Sequence, residues 1–197
     1  MHLRAAFVFL PLAAATPAIA QTSPARPFDG PSATVIAGVD RGSEIGMHGT
    51  GVLYGGQLGY DMQSAGTVFG VEGEITGAGT KQCQSFVVGP GSVGRLCTKS
   101  GRDFYVGGRL GYVVAGSTMI YVKAGYTNAR GKFDYRVIGT GASDTSGSGT
   151  SDGIRGGVGV ETRIGTSLIA KAEYRYSNYF DSSYSRHQAV MGFGFRF

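Results

Sequence analysis

Apolar side chains recur at every second position through most of the chain from Gly30 onward. A two-residue period is typical of a β-strand whose two faces meet different surroundings. In one segment, for example, Phe104 and Val106 alternate with Tyr105 and Gly107. The pattern predicts eight strands, which fall within residues 33–40, 52–62, 69–75, 104–114, 120–126, 154–161, 168–176 and 189–197.

The connections between these segments are of two kinds. Three are short turns, at residues 63–67, 115–117 and 165–167, and four are longer, at residues 41–49, 77–102, 128–152 and 177–186. An even strand number with short turns at one end and long loops at the other is typical of bacterial outer-membrane barrels. The pattern predicts an all-β fold, an eight-stranded antiparallel up-and-down transmembrane β-barrel, with both chain ends in the periplasm and four loops outside.

Alternation alone leaves open which face points inward. A soluble β-sandwich or a lipocalin-like barrel buries its apolar face, whereas a transmembrane barrel turns that face to lipid. In the transmembrane case, the charged residues of the other face line the lumen. They are Asp61, Glu72, Glu74, Arg109, Lys123, Arg155, Glu161, Arg163, Lys171, Glu173, Arg175 and Arg196. All of these except Asp61 and Arg163 form the lumen charge network that we predict.

Composition supports a strand-rich chain with few charges on its outside. Gly accounts for 35 of 197 residues, and charged residues make up 16%, against about 25% in soluble domains. Gly lowers helix stability by roughly 1 kcal/mol per interior position relative to Ala, which argues against a helical bundle. With only 6 Pro and no three-residue Gly period, collagen is excluded, and 42% hydrophobic content does not fit disorder.

The first twenty residues have the pattern of a signal peptide. A short basic start with His2 and Arg4 is followed by an apolar run from Ala5 to Ala15. The stretch ends in Ala18-Ile19-Ala20, the small-x-small pattern of a cleavage site. The apolar run is shorter than the about 20 residues that a membrane-spanning helix needs. We predict a signal peptide over residues 1–20, a periplasmic N-terminal segment over 21–30 and an outer-membrane barrel domain over 31–197.

The chain contains two cysteines, Cys83 and Cys97. In an exported protein an even cysteine count predicts a disulfide, which here would stabilise one long loop. Zinc is a poorer alternative because no His or carboxylate lies nearby at ligand spacing. Residues 89–94 match the Gly-x-Gly-x-x-Gly motif, but a dinucleotide site needs a strand before it and a helix after it, so we interpret them as a mobile loop. We expect neither a metal nor a cofactor.

The last residues, 191–197, alternate apolar side chains with Gly and Arg and end on an aromatic ring. This ending resembles the signal that the barrel assembly machinery recognises, which implies that role for Phe193, Phe195 and Phe197. Residues 170–176, Ala-Lys-Ala-Glu-Tyr-Arg-Tyr, look like the AEYRY strand of the opacity-type, OmpA-like porin family of small outer-membrane barrels. Residues 120–128 are similar to the fifth strand of that family, and residues 26–31 to the start of its first strand.

The resemblance implies an eight-stranded barrel in the outer membrane of a Gram-negative bacterium, acting in surface architecture rather than catalysis. The lumen of such a barrel is only wide enough to be filled by side chains. With about seven basic and five acidic inward candidates, the near-balance of charge predicts a lumen plugged by ion pairs. The predicted function is to maintain the outer membrane and present surface loops; a narrow passive pore for small solutes is the alternative.

A lipid A-modifying enzyme is a second alternative, since some eight-stranded outer-membrane proteins are enzymes. Ser185 and His187 share a strand face, and Asp181 would orient the imidazole. This spacing is common by chance, so we expect no catalytic residues. His48, in the first long loop, has no evident partner.

The formal net charge is +5, but Lys and Arg are dispersed along the chain, which argues against a nucleic-acid partner. We expect the loop cations to lie beside lipopolysaccharide phosphates: Arg41, Arg95, Lys99, Arg102, Arg130, Lys132 and Arg186. Residues 139–153 are rich in Gly, Ser and Thr, which predicts a flexible surface loop. A host or surface ligand is possible for these loops, and the sequence does not identify one.

Overall fold

The structure, a computed structural model, describes residues 26–44, 47–79, 81–139, 142–180 and 184–197. The predicted signal peptide and Asp181 lie outside these ranges. The described part of the chain forms nine strands. They are β1 (Gly30–Glu44), β2 (Met47–Ser64), β3 (Thr67–Ala78), β4 (Lys81–Gly89), β5 (Ser92–Ala115), β6 (Thr118–Gly139), β7 (Ser143–Ile164), β8 (Leu168–Tyr179) and β9 (Tyr184–Arg196).

Eight of these strands close into an antiparallel ring. Each strand pairs with the next along the chain, except that β3 pairs with β5, and β9 returns to pair with β1. At the closure Ala33 of β1 stands opposite Phe195 of β9. This confirms the predicted eight-stranded up-and-down barrel, and every predicted segment lies within a strand of the ring apart from Phe197, which follows the end of β9.

The two faces of the barrel settle which side points inward. Apolar side chains face outward and are exposed, as with Val35 at 70% and Leu58 at 68%. Charged side chains face inward and are buried; Arg155 and Arg196 are each 1% exposed. A soluble sandwich or lipocalin-like barrel would have the reverse arrangement. An outward apolar surface of this extent needs an apolar surrounding such as lipid.

The ninth strand, β4, belongs to a sheet that extends beyond the ring. Residues 81–89, 92–100, 129–139 and 143–151 form four paired segments, with Lys81, Lys99, Lys132 and Ser148 opposite one another. We call these four segments the projecting sheet. The long connections predicted at 77–102 and 128–152 are therefore largely strand.

The prediction of a loop over residues 139–153 is wrong, because β7 begins at Ser143. Ser and Thr there pair in unbroken register with β6, from Ser143 opposite Val137 to Ser151 opposite Ala129. Backbone hydrogen bonds need no apolar alternation, so a hairpin continues for as long as both of its strands stay extended. Residues 89–94, which match the Gly-rich motif and were predicted as a mobile loop, likewise comprise the end of β4, a two-residue turn at 90–91 and the start of β5, with Gly91 at a φ of 74°.

A bulge separates the barrel part of β5 from its projecting part. The register against β6 shifts between Ser100 and Asp103, where two residues of β5 stand opposite Arg130 alone. Below the bulge the odd-numbered residues of β5 face inward, as Asp103 and Tyr105 do. Above it the odd-numbered residues pair with outward-facing, even-numbered residues of β6, as Arg95 does with Arg136.

Within the described ranges, no helix is both long and apolar enough to cross a membrane.

Candidate functional site

The lumen of the barrel holds equal numbers of buried charges of each sign. Among the described residues, seven cations and seven anions are buried there. The cations are Arg109, Lys123, Arg155, Lys171, Arg175, Arg186 and Arg196, and the anions are Asp40, Asp61, Glu72, Glu74, Asp103, Glu161 and Glu173. Because an isolated buried charge is costly, the arrangement depends on how these groups pair.

The charges near the short turns form a closed group of four. Arg109 pairs with Asp61, and its Nη1 lies 3.0 Å from Glu161 Oε2. Arg196 joins the same two carboxylates from the opposite side, at 2.8 Å from Asp61 and 2.7 Å from Glu161. Each carboxylate thus contacts two guanidinium groups, and Arg109 holds Asp61 through Nε and Nη2 in the bidentate arrangement that Arg favours.

The middle of the lumen centres on Lys123. Its Nζ lies 2.6 Å from Glu72 Oε1 and 2.8 Å from Glu173 Oε1. The Tyr121 hydroxyl donates to the other oxygen of Glu173 at 2.7 Å. Lys171 donates to the side-chain oxygen of Gln57 and lies 3.8 Å from Glu173.

Towards the projecting sheet, Glu74 links the middle of the lumen to its outer part. Arg175 Nη1 lies 2.5 Å from Glu74 Oε2, and Arg155 Nη1 lies 3.3 Å from Glu74 Oε1. Arg155 also reaches Asp103 at 2.5 Å. The carboxylate of Glu74 therefore holds two guanidinium groups from β7 and β8.

The outermost charges are Asp103, Arg186 and Asp40. Arg186 Nη1 lies 2.8 Å from Asp103 Oδ2, and its Nη2 lies 2.5 Å from Asp40 Oδ2. Asp103 also accepts hydrogen bonds from Thr127 at 2.7 Å and from Tyr179 at 3.2 Å. With a 3.8 Å contact between Arg109 and Glu72, all fourteen charges join into one connected set, which we call the lumen charge chain.

The structure places every residue of the predicted network in this chain, and it adds Asp40, Asp61, Asp103 and Arg186. The expectation that Arg186 is a loop cation beside lipopolysaccharide is wrong, because this side chain is only 3% exposed. β9 begins at Tyr184, so Arg186 continues the inward series of Gln188 and Val190. Extending the alternation of the last segment by three residues towards the N-terminus would have found it. Asp103 precedes the fourth segment on the same face as Tyr105, so the same extension applies there.

The short-turn end of the barrel is closed by the segment before β1. Phe28 is fully buried and packs with Val68, Met119 and Tyr121. Its backbone N–H donates to Gln63 Oε1 at 3.0 Å.

Two arginines donate hydrogen bonds to backbone carbonyls of the segment before β1. Arg196 donates to the carbonyl of Phe28 and Arg163 to that of Pro27, each at 2.8 Å. Arg163, predicted on the polar face, thus lies at the rim rather than among the buried charges.

The candidate catalytic residues lie on the outside of the barrel. His187 Nδ1 is 2.6 Å from the Tyr174 hydroxyl, and its ring lies 4.9 Å from that of Tyr176. The described contacts of the imidazole are thus with tyrosines of β8 rather than with the Ser185 hydroxyl. Within the described residues, no three His, Cys, Asp or Glu side chains are grouped so as to hold a metal ion.

The predicted disulfide is confirmed and lies in the projecting sheet. Cys83 of β4 and Cys97 of β5 stand directly opposite each other, with Cα atoms 4.0 Å apart. Both members of the bond are therefore in strands rather than in a loop.

The expected loop cations, Arg186 apart, also lie in strands. Arg95 stands opposite Arg136, and Lys99 stands between Lys81 and Lys132. Arg102 lies over the Phe104 ring, 4.8 Å from its centroid. Arg41 lies in β1, His48 in β2 and Arg130 in β6. Among the described side chains on the outward face of the projecting sheet, the exposed cations Arg95, Arg130, Lys132 and Arg136 outnumber the exposed carboxylates Asp134 and Asp144.

The aromatic residues of the last strand point away from the lumen. Phe193, Phe195 and Phe197 are all exposed and alternate with the buried Gly194 and Arg196. They continue the outward apolar surface to the short-turn end of the barrel.

Comparison with known proteins identifies relatives of the same architecture. The sequence profile described as the outer membrane protein beta-barrel domain matches residues 5–197. The attachment invasion locus protein Ail of Yersinia pestis, in its complex with the heparin analogue sucrose octasulfate, is similar in fold. Its TM-score is 0.56 at 19% identity, over 86% of this chain and 99% of Ail.

Neisserial surface protein A, NspA, has a TM-score of 0.53 at 16% identity, over 86% of this chain and 98% of NspA. No curated protein sequence matches the chain at a significant level. The profile match extends over nearly the whole sequence, and the closed ring of strands agrees with it. The chain is a member of the outer membrane protein β-barrel family.

Proposed function

We propose that this protein is a structural component of the outer membrane, with a lumen closed to solutes and a projecting sheet displayed at the cell surface. The observation that carries the proposal is the lumen charge chain, in which seven cations and seven anions are buried and connected. An eight-stranded barrel leaves an interior that side chains can fill. Passage of a solute would require these pairs to separate, and removing one partner of a buried pair costs about 3–5 kcal/mol.

Electrical conductance in planar bilayers tests the closed lumen. We expect the purified full chain to give no stable current steps under conditions in which a known open porin gives them. Reproducible steps would contradict the closed lumen and support the alternative of a narrow passive pore.

We propose that the barrel lacks enzymatic activity on lipid A. His187 contacts Tyr174 and Tyr176 on the outward surface, as interfacial residues do. Mass spectrometry of lipid A should therefore give the same spectrum from cells that carry the wild-type chain, His187→Ala or no copy. A modification that depends on the wild-type chain and is lost with His187→Ala would establish the enzyme instead.

The proposal includes the route by which the protein reaches the membrane. Residues 1–20 direct export and are removed after Ala20, and the barrel assembly machinery recognises Phe193, Phe195 and Phe197. The short turns then face the periplasm and the projecting sheet faces outward, as in other barrels with loops of unequal length. N-terminal sequencing of the membrane-extracted protein should begin at Gln21; a start at Met1 would contradict cleavage.

Lipopolysaccharide is the partner we propose for the outward cations nearest the barrel. Arg102 stands at the bulge opposite Arg130, with Lys132 two residues further along the same face of β6, and like charges in these positions repel. Phosphate groups between them would relieve the repulsion. Native mass spectrometry should therefore show less bound lipopolysaccharide for Arg130→Gln/Lys132→Gln than for the control Arg26→Gln, which removes an exposed cation at the short-turn end. Equal amounts would contradict this partner.

A further inference from the structure

The β4–β5 hairpin and the adjacent end of β6 form an uncharged, largely apolar tip, residues 86–94 and 137–139. Val87, Val93 and Ile138 lie side by side there on β4, β5 and β6. Their exposed fractions are 80%, 44% and 56%. No residue of the two ranges carries a charge. Apolar side chains exposed together at a protein extremity mark a binding surface.

Apolar side chains occur on both faces of the tip. Val87, Val93 and Ile138 share the outward face, and Phe86 and Val137 belong to the opposite face. Phe86 remains 45% exposed even though its ring stacks on Tyr135 at a centroid distance of 6.1 Å. A groove on a partner protein covers one face of such a hairpin, whereas a lipid bilayer surrounds both. The two-sided distribution therefore favours lipid.

Arg95 lies directly below the tip, with the ion pair of Arg136 and Asp144 beside it. Arg95 and Arg136 stand opposite each other, two residues from Val93 and Ile138, or about 7 Å along the strands. Apolar groups of interfacial segments enter the boundary between headgroups and acyl chains by about 5–10 Å. Arginines at this distance from the apolar residues would reach the headgroup layer, where anionic lipids attract them.

The tip stands well clear of the barrel's own lipid-facing band. Tyr126 is the last outward aromatic residue of β6 next to the barrel, and Ile138 lies twelve residues further along the same strand. Twelve residues correspond to about 40 Å of extended chain. The bilayer that the tip would meet is therefore one other than the bilayer that holds the barrel.

We propose that the tip of the projecting sheet inserts into an anionic lipid bilayer of a facing membrane, with Val87, Val93 and Ile138 in the apolar boundary and Arg95 and Arg136 at the headgroups. The inference uses the outward orientation of the projecting sheet proposed above. It does not depend on whether the lumen conducts, so a conducting lumen would not contradict membrane insertion by the tip, and failure of insertion would not contradict a closed lumen.

The sequence contains no Trp, so a single Trp introduced at the tip reports on that position alone. The full chain carrying Val87→Trp is held in nanodiscs of neutral lipid and mixed with phosphatidylcholine vesicles, with and without phosphatidylserine. Only the vesicle lipids carry brominated acyl chains, which quench Trp fluorescence on contact. We expect the chain to float with the anionic vesicles and the single Trp to be quenched by them.

Two sets of variants separate insertion from other modes of binding. Val87→Ser/Val93→Ser/Ile138→Ser should lower the bound fraction by about tenfold or more, since each substitution removes apolar burial. Ile164→Ser, a matched aliphatic position at the opposite end of the barrel, should leave binding unchanged. Arg95→Gln/Arg136→Gln should remove the preference for phosphatidylserine.

Several results would overturn the proposal. They are no flotation with vesicles, flotation without quenching of the Val87→Trp emission, and binding that survives the triple substitution. Association of nanodiscs with one another through the tip would assign the surface to a second copy of the chain. Heat-dependent gel mobility of each variant establishes that its barrel is folded before binding is measured.

Discussion

Asp103 is the residue on which most partners in the outer lumen converge. Its carboxylate lies within 2.8 Å of both Arg155 and Arg186 and accepts hydrogen bonds from Thr127 and Tyr179. At the solvent-exposed end of the molecule, Asp144 pairs with Arg136 at 3.0 Å with more than 60% of each side chain exposed. An Arg–Asp pair therefore occurs both buried and exposed, and its contribution to the free energy of unfolding depends on which of the two it is.

Substitution of Asp103 by Asn should lower the free energy of unfolding by about 3–5 kcal/mol, because two guanidinium groups lose their buried carboxylate. Asp144→Asn is the matched control and should change it by less than about 1 kcal/mol. Guanidinium titration of the detergent-solubilised barrel, followed by circular dichroism, measures both. Similar effects for the two variants would contradict the difference that we assign to burial.

A second prediction concerns the close approach of β5 and β6. A Cβ atom added at Gly125 would lie 2.4 Å from the Cα of Gly107 and 2.2 Å from the carbonyl oxygen of Val106. Both contacts are with backbone, which cannot rotate away, so Gly125→Ala should destabilise the barrel by about 1–3 kcal/mol.

Gly156→Ala is the control for this clash, because its nearest atom, the Lys123 carbonyl oxygen, lies 3.9 Å away. The heating temperature at which gel mobility changes should fall for Gly125→Ala and stay near the wild-type value for Gly156→Ala. An unchanged temperature for Gly125→Ala would show that the strands can separate at this point without cost.

At the scale of elements, alternation predicted the eight strands and the inward charges but not how far the strands extend. Arg186 and Asp103 were missed because each predicted segment stopped where its apolar series stopped, although the backbone pairing continued. From Ser143 to Gly153, β7 consists of Ser, Thr, Gly and two Asp with no apolar alternation, so nothing in its own sequence distinguishes it from a loop. Its strand conformation depends on pairing with β6, the strand that precedes it.

The disulfide should matter to the projecting sheet and not to the barrel. Cys83 and Cys97 are 14 residues apart in sequence, and closing a loop of this size stabilises the folded form by about 3 kcal/mol in a chain-entropy treatment. Cys83→Ser/Cys97→Ser should speed protease cleavage within residues 81–100 while heat-dependent gel mobility stays unchanged. A lower heating temperature for the mobility change would contradict the separation of the two parts.

For the whole molecule, the proposed closure of the lumen combines two features. The lumen charge chain runs along the barrel, and Phe28 covers the short-turn end. Arg196 joins them, because it pairs with Asp61 and also donates to the Phe28 carbonyl. The family profile and the related folds agree with such a barrel.

Replacing Phe28 by Ala separates the two contributions. The substitution removes a fully buried ring and should lower stability by about 3–5 kcal/mol. We expect the variant to remain without current steps in planar bilayers, because the ion pairs beyond the ring are untouched. Current steps in Phe28→Ala but not in the wild-type chain would place the seal at the N-terminal segment.

The bulge at residues 101 and 102 of β5 also governs what this protein presents to its surroundings. If β5 paired residue against residue without the bulge, Arg95 and Cys97 would stand opposite Val137 and Tyr135, on the axis side of the sheet. Deleting Gly101 alone would instead leave one residue opposite Arg130 and keep Arg95 and Cys97 opposite Arg136 and Asp134. The one extra residue thus allows a single strand to present ion pairs to the lumen and a disulfide to the outside.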